Sequence, residues 1–154
     1  MIDSVDLIDN KIIELLFEDG RSSASFIAEK VGLSIPATTD RIKKLQDSGV
    51  IRGFRPVLNS KKIGLDITAF IRVYSESSKN FEKVVVNAKE SPNVLKCYTT
   101  TGDGSHLLLV QVSNTNSLER LLRTIQEWPG VTRTQTQIVL SSYIHKGSST
   151  LIKK

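Results

Sequence analysis

Residues 23–59 read SASFIAEKVGLSIPATTDRIKKLQDSGVIRGFRPVLN, and the fold of the N-terminal part of the chain can be inferred from them. It contains two short helical patterns separated by a tight turn. Apolar residues recur at helical spacing from Phe26 to Leu33, which predicts the first helix. Gly32 suits the left-handed conformation that often ends a helix, so we expect this helix to end there.

The second helix is predicted to begin at Ser34, whose hydroxyl is a favourable N-cap, and Pro36 lies in its first turn. One face is expected to be buried, through Thr38, Ile42 and Leu45. The opposite face is polar and basic, with Thr39, Asp40, Lys43 and Lys44 on it and Arg41 at its edge. Two helices joined by a short glycine-containing turn predict a helix-turn-helix, and an ordinary αα-hairpin with solvated lysines is the alternative.

The residues after this helix favour the DNA-binding interpretation. Residues 49–57 predict two short strands that turn at Arg52–Gly53, and a basic hairpin in this place is a wing that contacts phosphates. Charge follows the same division, because residues 1–20 hold six acidic residues and one Lys, whereas residues 21–62 hold nine basic and three acidic ones. A basic block over the helix-turn-helix is the electrostatic pattern of a nucleic-acid surface.

Composition limits the remaining choices. The 154 residues, 39% hydrophobic and 24% charged, suit one ordinary domain or two small ones in a soluble protein. No apolar run approaches the length of a membrane span, and the acidic N-terminus is unlike a signal peptide. The single cysteine, Cys97, suits a reducing cytoplasm and is expected to be packed rather than reactive.

The C-terminal half has alternating patterns in place of helical ones. Residues 61–66 look like a connector, after which the chain predicts strands at 67–74, 94–101, 106–112 and 131–140, and helices from Phe81 and from a cap at Asn116 or Ser117. The order βαββαβ predicts a ferredoxin-like sheet with both helices on one face. The face of the sheet that the helices leave bare is expected to pair with another subunit. Residues 141–154 form either a fifth strand at the edge of the sheet or an arm on a neighbouring subunit, and the sequence does not distinguish the two.

Several motifs in the right order resemble the Lrp/AsnC family of feast/famine transcription regulators. In the first half they are Gly20-Arg21, Ile27-Ala28, Val31-Gly32-Leu33-Ser34, Arg41-Ile42-Lys43-Lys44-Leu45, Gly49-Val50-Ile51 and Leu58-Asn59. In the second half they are Gly102-Asp103, Trp128-Pro129-Gly130-Val131 and Thr134-Gln135-Thr136. The resemblance implies an α+β chain: a winged helix-turn-helix domain over 1–60, a linker over 61–66, and a ferredoxin-like effector-binding and oligomerisation domain over 67–154.

Double-stranded DNA is the expected partner of the first domain. Lys43 and Lys44 are expected to contact phosphate, Arg41 either phosphate or bases, and the small residues base edges. The whole expected DNA surface is Ser34, Pro36, Ala37, Thr39, Asp40, Arg41, Lys43, Lys44 and Arg52. The resemblance also implies a homodimer that assembles further.

The loop Gly102–His106 is the candidate effector site, because two glycines let backbone amides approach a carboxylate and Asp103 can meet an ammonium group. A glycine-rich hairpin turn is the alternative. The resemblance implies an amino-acid effector at Gly102, Asp103, Gly104, Ser105 and His106, with Thr134 and Thr136 from a nearby strand. The family's loop is Gly-Asp-aromatic-Asp, whereas Gly104 and Ser105 stand at its last two positions here. A different ligand, weak binding and a vestigial site are therefore all open.

Catalytic chemistry has little support in the sequence. His106 and His145 are far apart, and P-loop, dinucleotide and nucleophile-elbow motifs are absent. We expect no catalytic residue, no metal and no cofactor. The alternative function is an enzyme similar to sirohaem decarboxylases, which resemble this family in both halves.

Overall fold

The computed structural model describes residues 5–76 and 78–143, and these fall into two compact units, 5–57 and 58–143. The first unit contains three helices and the second contains a sheet with two helices. The helices and strands are α1 Leu7–Glu18, α2 Ala24–Val31, α3 Ile35–Asp47, β1 Ile67–Ser75, α4 Phe81–Glu90, β2 Val94–Thr99, β3 His106–Val112, α5 Thr115–Gln126 and β4 Val131–Ile138. Short 3-10 turns lie at Lys61–Ile63 and Ser78–Asn80.

The three helices of the first unit begin and end where local signals place them. Ser23 and Ser34 cap α2 and α3 with their hydroxyls, and Gly32 ends α2 at φ 70°. Ile12, Leu16, Ile27 and Leu45 form the buried core of this unit. Thr38 is fully buried and its hydroxyl donates to the Ser34 carbonyl, so the expected inner face of α3 is confirmed.

The expected strand pair of the wing is wrong. Residues 52–59 contain no strand; after α3 the chain turns, and the Ile51 amide donates to the Leu45 carbonyl. A short two-stranded ribbon is marginal unless an apolar face is buried. Here Val57 is fully exposed and Pro56 has no amide to donate, so the segment has little to hold it in a ladder.

The second unit is a four-stranded antiparallel sheet in the order β2-β3-β1-β4. This is the ferredoxin-like βαββαβ arrangement that the sequence predicts. The core lies between one face of the sheet and both helices, with Ile71, Leu108 and Ile125 all fully buried in it. The α5 cap was expected at Asn116 or Ser117, but the structure has it at Asn114, whose side chain accepts from the Ser117 amide.

The other face of the sheet, which we call the open face, is not covered by either helix. Alternate residues of the strands lie on it, with Phe70 opposite Leu109 and Arg72 opposite Leu107. Tyr98 of β2 is paired with Leu107 on the same face and is 45% exposed. Residues 141–143 form no regular element, and the predicted edge strand or arm beyond them lies outside the described residues.

Candidate DNA-binding and effector surfaces

The outer face of α3 carries most of the residues expected to contact DNA. Ser34, Pro36, Ala37, Thr39, Asp40, Lys43 and Lys44 are all exposed there, and Arg52 is exposed beyond the helix. Ile35, the first residue of α3, is 50% exposed as well, although the sequence pattern did not single it out. Its place between the Ser34 cap and Pro36, at the start of the predicted helix, was the available signal.

The charged residues on α3 are engaged to different degrees. Lys44 donates to Asp40 at 2.9 Å in an exposed i, i+4 pair, and this bond lowers the pKa of the Asp40 carboxyl. Lys43 makes no hydrogen bond or ion pair with any residue the structure describes. Exposed pairs of this kind contribute little and break easily, so both lysines are accessible to an anion.

Arg41 differs from the lysines. Its Nη1 lies 2.7 Å from Oδ2 of Asp6, the N-cap of α1, and 2.8 Å from Oδ1 of Asp9 in the first turn of α1. The Arg41 side chain is 31% exposed. In this structure Arg41 therefore joins α3 to α1, which the sequence pattern did not indicate.

The loop between β2 and β3 is folded onto the end of β1. The Arg72 Nη1 donates to the Asp103 carbonyl at 2.8 Å, and the Ser105 amide donates to the Val73 carbonyl at 2.9 Å. Gly102 and Gly104 both have positive φ. A Cβ on Gly104 would lie 2.8 Å from Arg72 Cγ, so the arginine side chain fills the space beside this glycine.

The side chains of Ser105 and His106 lie in the interior of the second unit. Ser105 is 8% exposed, and its hydroxyl lies 2.8 Å from His106 Nδ1 and accepts from Ser75 Oγ at 3.1 Å. His106 is fully buried, its Nε2 has no hydrogen-bond partner among the described residues, and Phe81 packs edge-on against its ring. Burial lowers the pKa of His106, so the ring is neutral at pH 7.

The other two candidate effector residues, Thr134 and Thr136, lie elsewhere in the second unit. Thr134 and Thr136 pair with Val73 and Ile71, which puts them on the helix-covered face of β4. β1 separates β4 from β3, so within one chain these threonines lie two strands, or about 10 Å, from β3. The structure thus brings Gly102–His106 together with Arg72 and Ser75, and not with Thr134 or Thr136. Arg72 is the only charged residue in 67–74, which was the available signal for it.

Two family models match the two units. Residues 68–149 match the Lrp/AsnC ligand binding domain and residues 5–52 match a winged helix-turn-helix DNA-binding domain. The chain belongs to the Lrp/AsnC family. The resemblance found in its motifs is confirmed, and so is the α+β fold class.

Individual Lrp/AsnC relatives agree with this assignment over nearly the full length. The HTH-type transcriptional regulator FL11 of Pyrococcus abyssi is 34% identical over 91% of this chain and 92% of its own. The proline dehydrogenase transcriptional activator of Rhizobium radiobacter is 35% identical over 94% of this chain and 95% of its own. The crystal structure of a Neisseria meningitidis transcriptional regulator in complex with L-Met matches with a TM-score of 0.87 and 30% identity, covering 94% of this chain and 96% of that one.

The function follows from the family. The protein is a DNA-binding transcription regulator of the Lrp/AsnC type. The relatives named above are transcription regulators, and the alternative of a sirohaem-decarboxylase-like enzyme has no support from them. No helix in the described part of the chain is long and apolar enough to cross a membrane.

Proposed function

We propose that this Lrp/AsnC regulator binds double-stranded DNA through the outer face of α3, with Lys43 and Lys44 on phosphates and Arg52 on the backbone beside the groove. Ser34, Pro36, Ala37, Thr39 and Asp40 then face base edges, and Ile35 adds an apolar contact suited to a thymine methyl group. The observation that carries this proposal is the exposure of these residues on one face of a capped helix, while Thr38 and Leu45 anchor the opposite face.

The salt dependence of binding tests this surface. Each phosphate contact adds about 0.9 to the slope of log affinity against log salt concentration, so Lys43→Ala with Lys44→Ala is expected to flatten the slope by roughly two. Lys11→Ala is the control for loss of a lysine elsewhere: it removes one positive charge from α1, where Lys11 is paired with Glu14, and is expected to leave the slope unchanged. A double variant that binds duplex DNA with the slope of the parent would refute the assignment.

The open face supports a homodimer. Phe70, Tyr98, Leu107 and Leu109 place apolar side chains on a sheet surface that no element of the second unit covers. Two recognition helices related by a two-fold axis require a roughly palindromic site with half-sites about 10 bp apart or a multiple of it. Dimers are proposed to assemble further and to bend the DNA.

Light scattering at micromolar concentration tests the dimer. Leu109→Glu puts a charge on the open face and is expected to give monomers, because burying an unpaired charge in an interface is costly. Val86→Glu is the control, since Val86 is 51% exposed on α4 and lies away from the open face. A monomeric parent, or a Leu109→Glu variant that remains dimeric, would contradict the proposal.

We also propose that the loop Gly102–His106 binds a small effector where two dimers meet. The amides near Gly102 and Gly104 suit a carboxylate, and Asp103 is left to hold an ammonium group. Thr134 and Thr136 then come from another subunit, since β1 separates them from β3 within one chain. The Neisseria relative crystallised with L-Met supports an amino acid as the ligand class. Titration of the parent with the twenty amino acids by calorimetry tests this.

The domain boundaries remain proposals: 1–60 for DNA binding, 61–66 for the linker and 67–154 for effector binding and oligomerisation. The protein is proposed to act in the cytoplasm and to act without enzymatic chemistry. Selection of bound fragments from the organism's own DNA, with and without amino acids, identifies the operator and the regulated genes.

A further inference from the structure

Arg41 lies on the recognition helix, yet its side chain leaves the outer face and reaches α1. One nitrogen, Nη1, is within 2.8 Å of carboxylate oxygens of both Asp6 and Asp9. These residues are 35 and 32 positions away in sequence, so the contact joins α3 to the start of α1. Charge-assisted hydrogen bonds of this length are among the stronger polar contacts in proteins.

The two carboxylates are held in place by the cap of α1, independently of their contact with Arg41. Asp6 is the N-cap of α1, and its Oδ1 accepts from the Asp9 amide at 2.7 Å. Asp9 Oδ2 accepts in return from the Asp6 amide at 3.2 Å, which completes a capping box. Each carboxylate therefore uses one oxygen for the cap and the other for Arg41. A pre-oriented pair of acceptors fixes the direction of the arginine side chain.

The same contact neutralises Arg41. Two carboxylates face one guanidinium, and the three groups together carry a net charge of about −1. Lys43 offers a contrast two positions along, since it is exposed and has no such partner in the described part of the chain. The cation of Arg41 is thus poorly placed to attract a phosphate, although a count of basic residues would include it.

We infer that Arg41 is a positioning residue for DNA binding, which acts through Asp6 and Asp9 by fixing the orientation of α3 on α1. This inference rests on the proposed DNA surface of α3. Base contacts require a recognition helix held at one angle, whereas phosphate contacts from long lysine side chains tolerate small rotations. The interaction between Arg41 and α1 therefore controls discrimination between DNA sequences more than overall attraction to DNA.

Three variants of the full-length protein separate positioning from direct contact. Arg41→Ala removes the cation. The double variant Asp6→Asn with Asp9→Asn keeps Arg41 and keeps the helix cap, because Asn caps a helix as well as Asp does. Lys43→Ala is the control for a residue that contacts phosphate. Each is titrated over a series of salt concentrations with two probes: a duplex selected by the parent from a random pool, and a random-sequence duplex of the same length.

The Asn double variant is the decisive one, because it raises the net charge of the chain from +5 by two. If charge alone mattered, it would bind both duplexes more tightly than the parent. We expect it instead to bind the selected duplex about tenfold more weakly, comparable to the loss of one base contact. Arg41→Ala is expected to show the same loss with the salt slope of the parent, whereas Lys43→Ala lowers the slope by about 0.9 on both duplexes.

Direct contact predicts the opposite pattern. The inference would be overturned if Arg41→Ala reduced the salt slope as much as Lys43→Ala does, and if the Asn double variant bound the selected duplex as tightly as the parent or more tightly. A parent that binds neither duplex would instead refute the proposed function, so the two failures are distinguishable. Circular dichroism confirms that each variant is folded, and Arg41→Lys replaces Arg41→Ala if the alanine variant is not. Lys keeps the positive charge but lacks the guanidinium geometry. A positioning role therefore predicts that Arg41→Lys loses part of its affinity for the selected duplex and keeps the salt slope of the parent. A phosphate contact predicts no loss of affinity.

Discussion

Replacing Gly104 with alanine tests how closely Arg72 approaches the candidate effector loop. Gly104 has φ 82°, and a Cβ there would lie 2.8 Å from Arg72 Cγ and 3.1 Å from the Val73 carbonyl oxygen. Gly102 has nearly the same φ, 84°, but a Cβ there would meet nothing within 4 Å. The two glycines therefore differ in surroundings and share their backbone conformation, so each serves as the control for the other.

Gly104→Ala is expected to lower the free energy of unfolding more than Gly102→Ala does, because only the new Cβ at position 104 meets Arg72. An alanine in the left-handed region costs about 1–2 kcal/mol, and both variants incur this. Gly104→Ala must also displace the Arg72 side chain, whose guanidinium donates to the Asp103 carbonyl, and overpacking of this kind costs about 1–3 kcal/mol more. For a chain of this size the additional loss corresponds to a difference in Tm of about 2–12 °C between the two variants.

Thermal denaturation of the full-length protein at one concentration measures this difference. A second measurement uses Arg72→Ala as background, because it removes Cγ and Cδ from the crowded position. On that background the cost of Gly104→Ala is expected to fall toward that of Gly102→Ala, because only the contact with the Val73 carbonyl oxygen remains. Equal Tm losses for Gly102→Ala and Gly104→Ala in the parent, or no relief on the Arg72→Ala background, would refute the close approach.

Two further predictions concern the residues that follow this glycine. Burial lowers the pKa of His106 below its usual 6.5, so near this pH the unfolded chain binds more protons than the folded one. The free energy of unfolding is therefore highest above pH 6.5, where the ring is neutral in both states, and it falls as the pH is lowered below 6.5. The parent is therefore expected to lose Tm between pH 7 and pH 5 more steeply than His106→Phe, and parallel curves would contradict this. Ser105→Asp restores the acid of the family's loop and is expected to tighten amino-acid binding by about ten- to a hundredfold in calorimetry, because one charge-assisted hydrogen bond contributes about 1.5–3 kcal/mol. An unchanged affinity together with a raised pKa of His106, measured by NMR, would mean that the new carboxylate stays inside the subunit beside the imidazole.

Local signals were sufficient for most of the elements. The capping hydroxyl of Ser34 and the left-handed Gly32 act within one turn of the residues they affect, so they can be read without knowing the fold. The change from helical to alternating apolar spacing after residue 66 likewise identified the sheet, and right-handed crossovers placed both helices on one face. The α5 cap at Asn114 was missed because several residues before that helix are good caps, and the backbone selects one of them.

The tertiary structure decided the roles of individual polar side chains. Arg41 lies beside two lysines in sequence, yet Asp6 and Asp9, more than thirty positions away, remove it from the outer face of α3. Arg72 occupies the space beside Gly104, and Ser105 and His106 turn into the core, because β1 and β3 are neighbours in the sheet. The missing strands at Arg52–Gly53 have a related cause, since a ribbon forms only where other residues cover it. The apolar periodicity and most helix ends could be read from the sequence, because they depend on neighbours within one turn. Which charges are paired and which loop residues are exposed became clear only in the folded chain, since those depend on contacts between residues that are distant along the sequence.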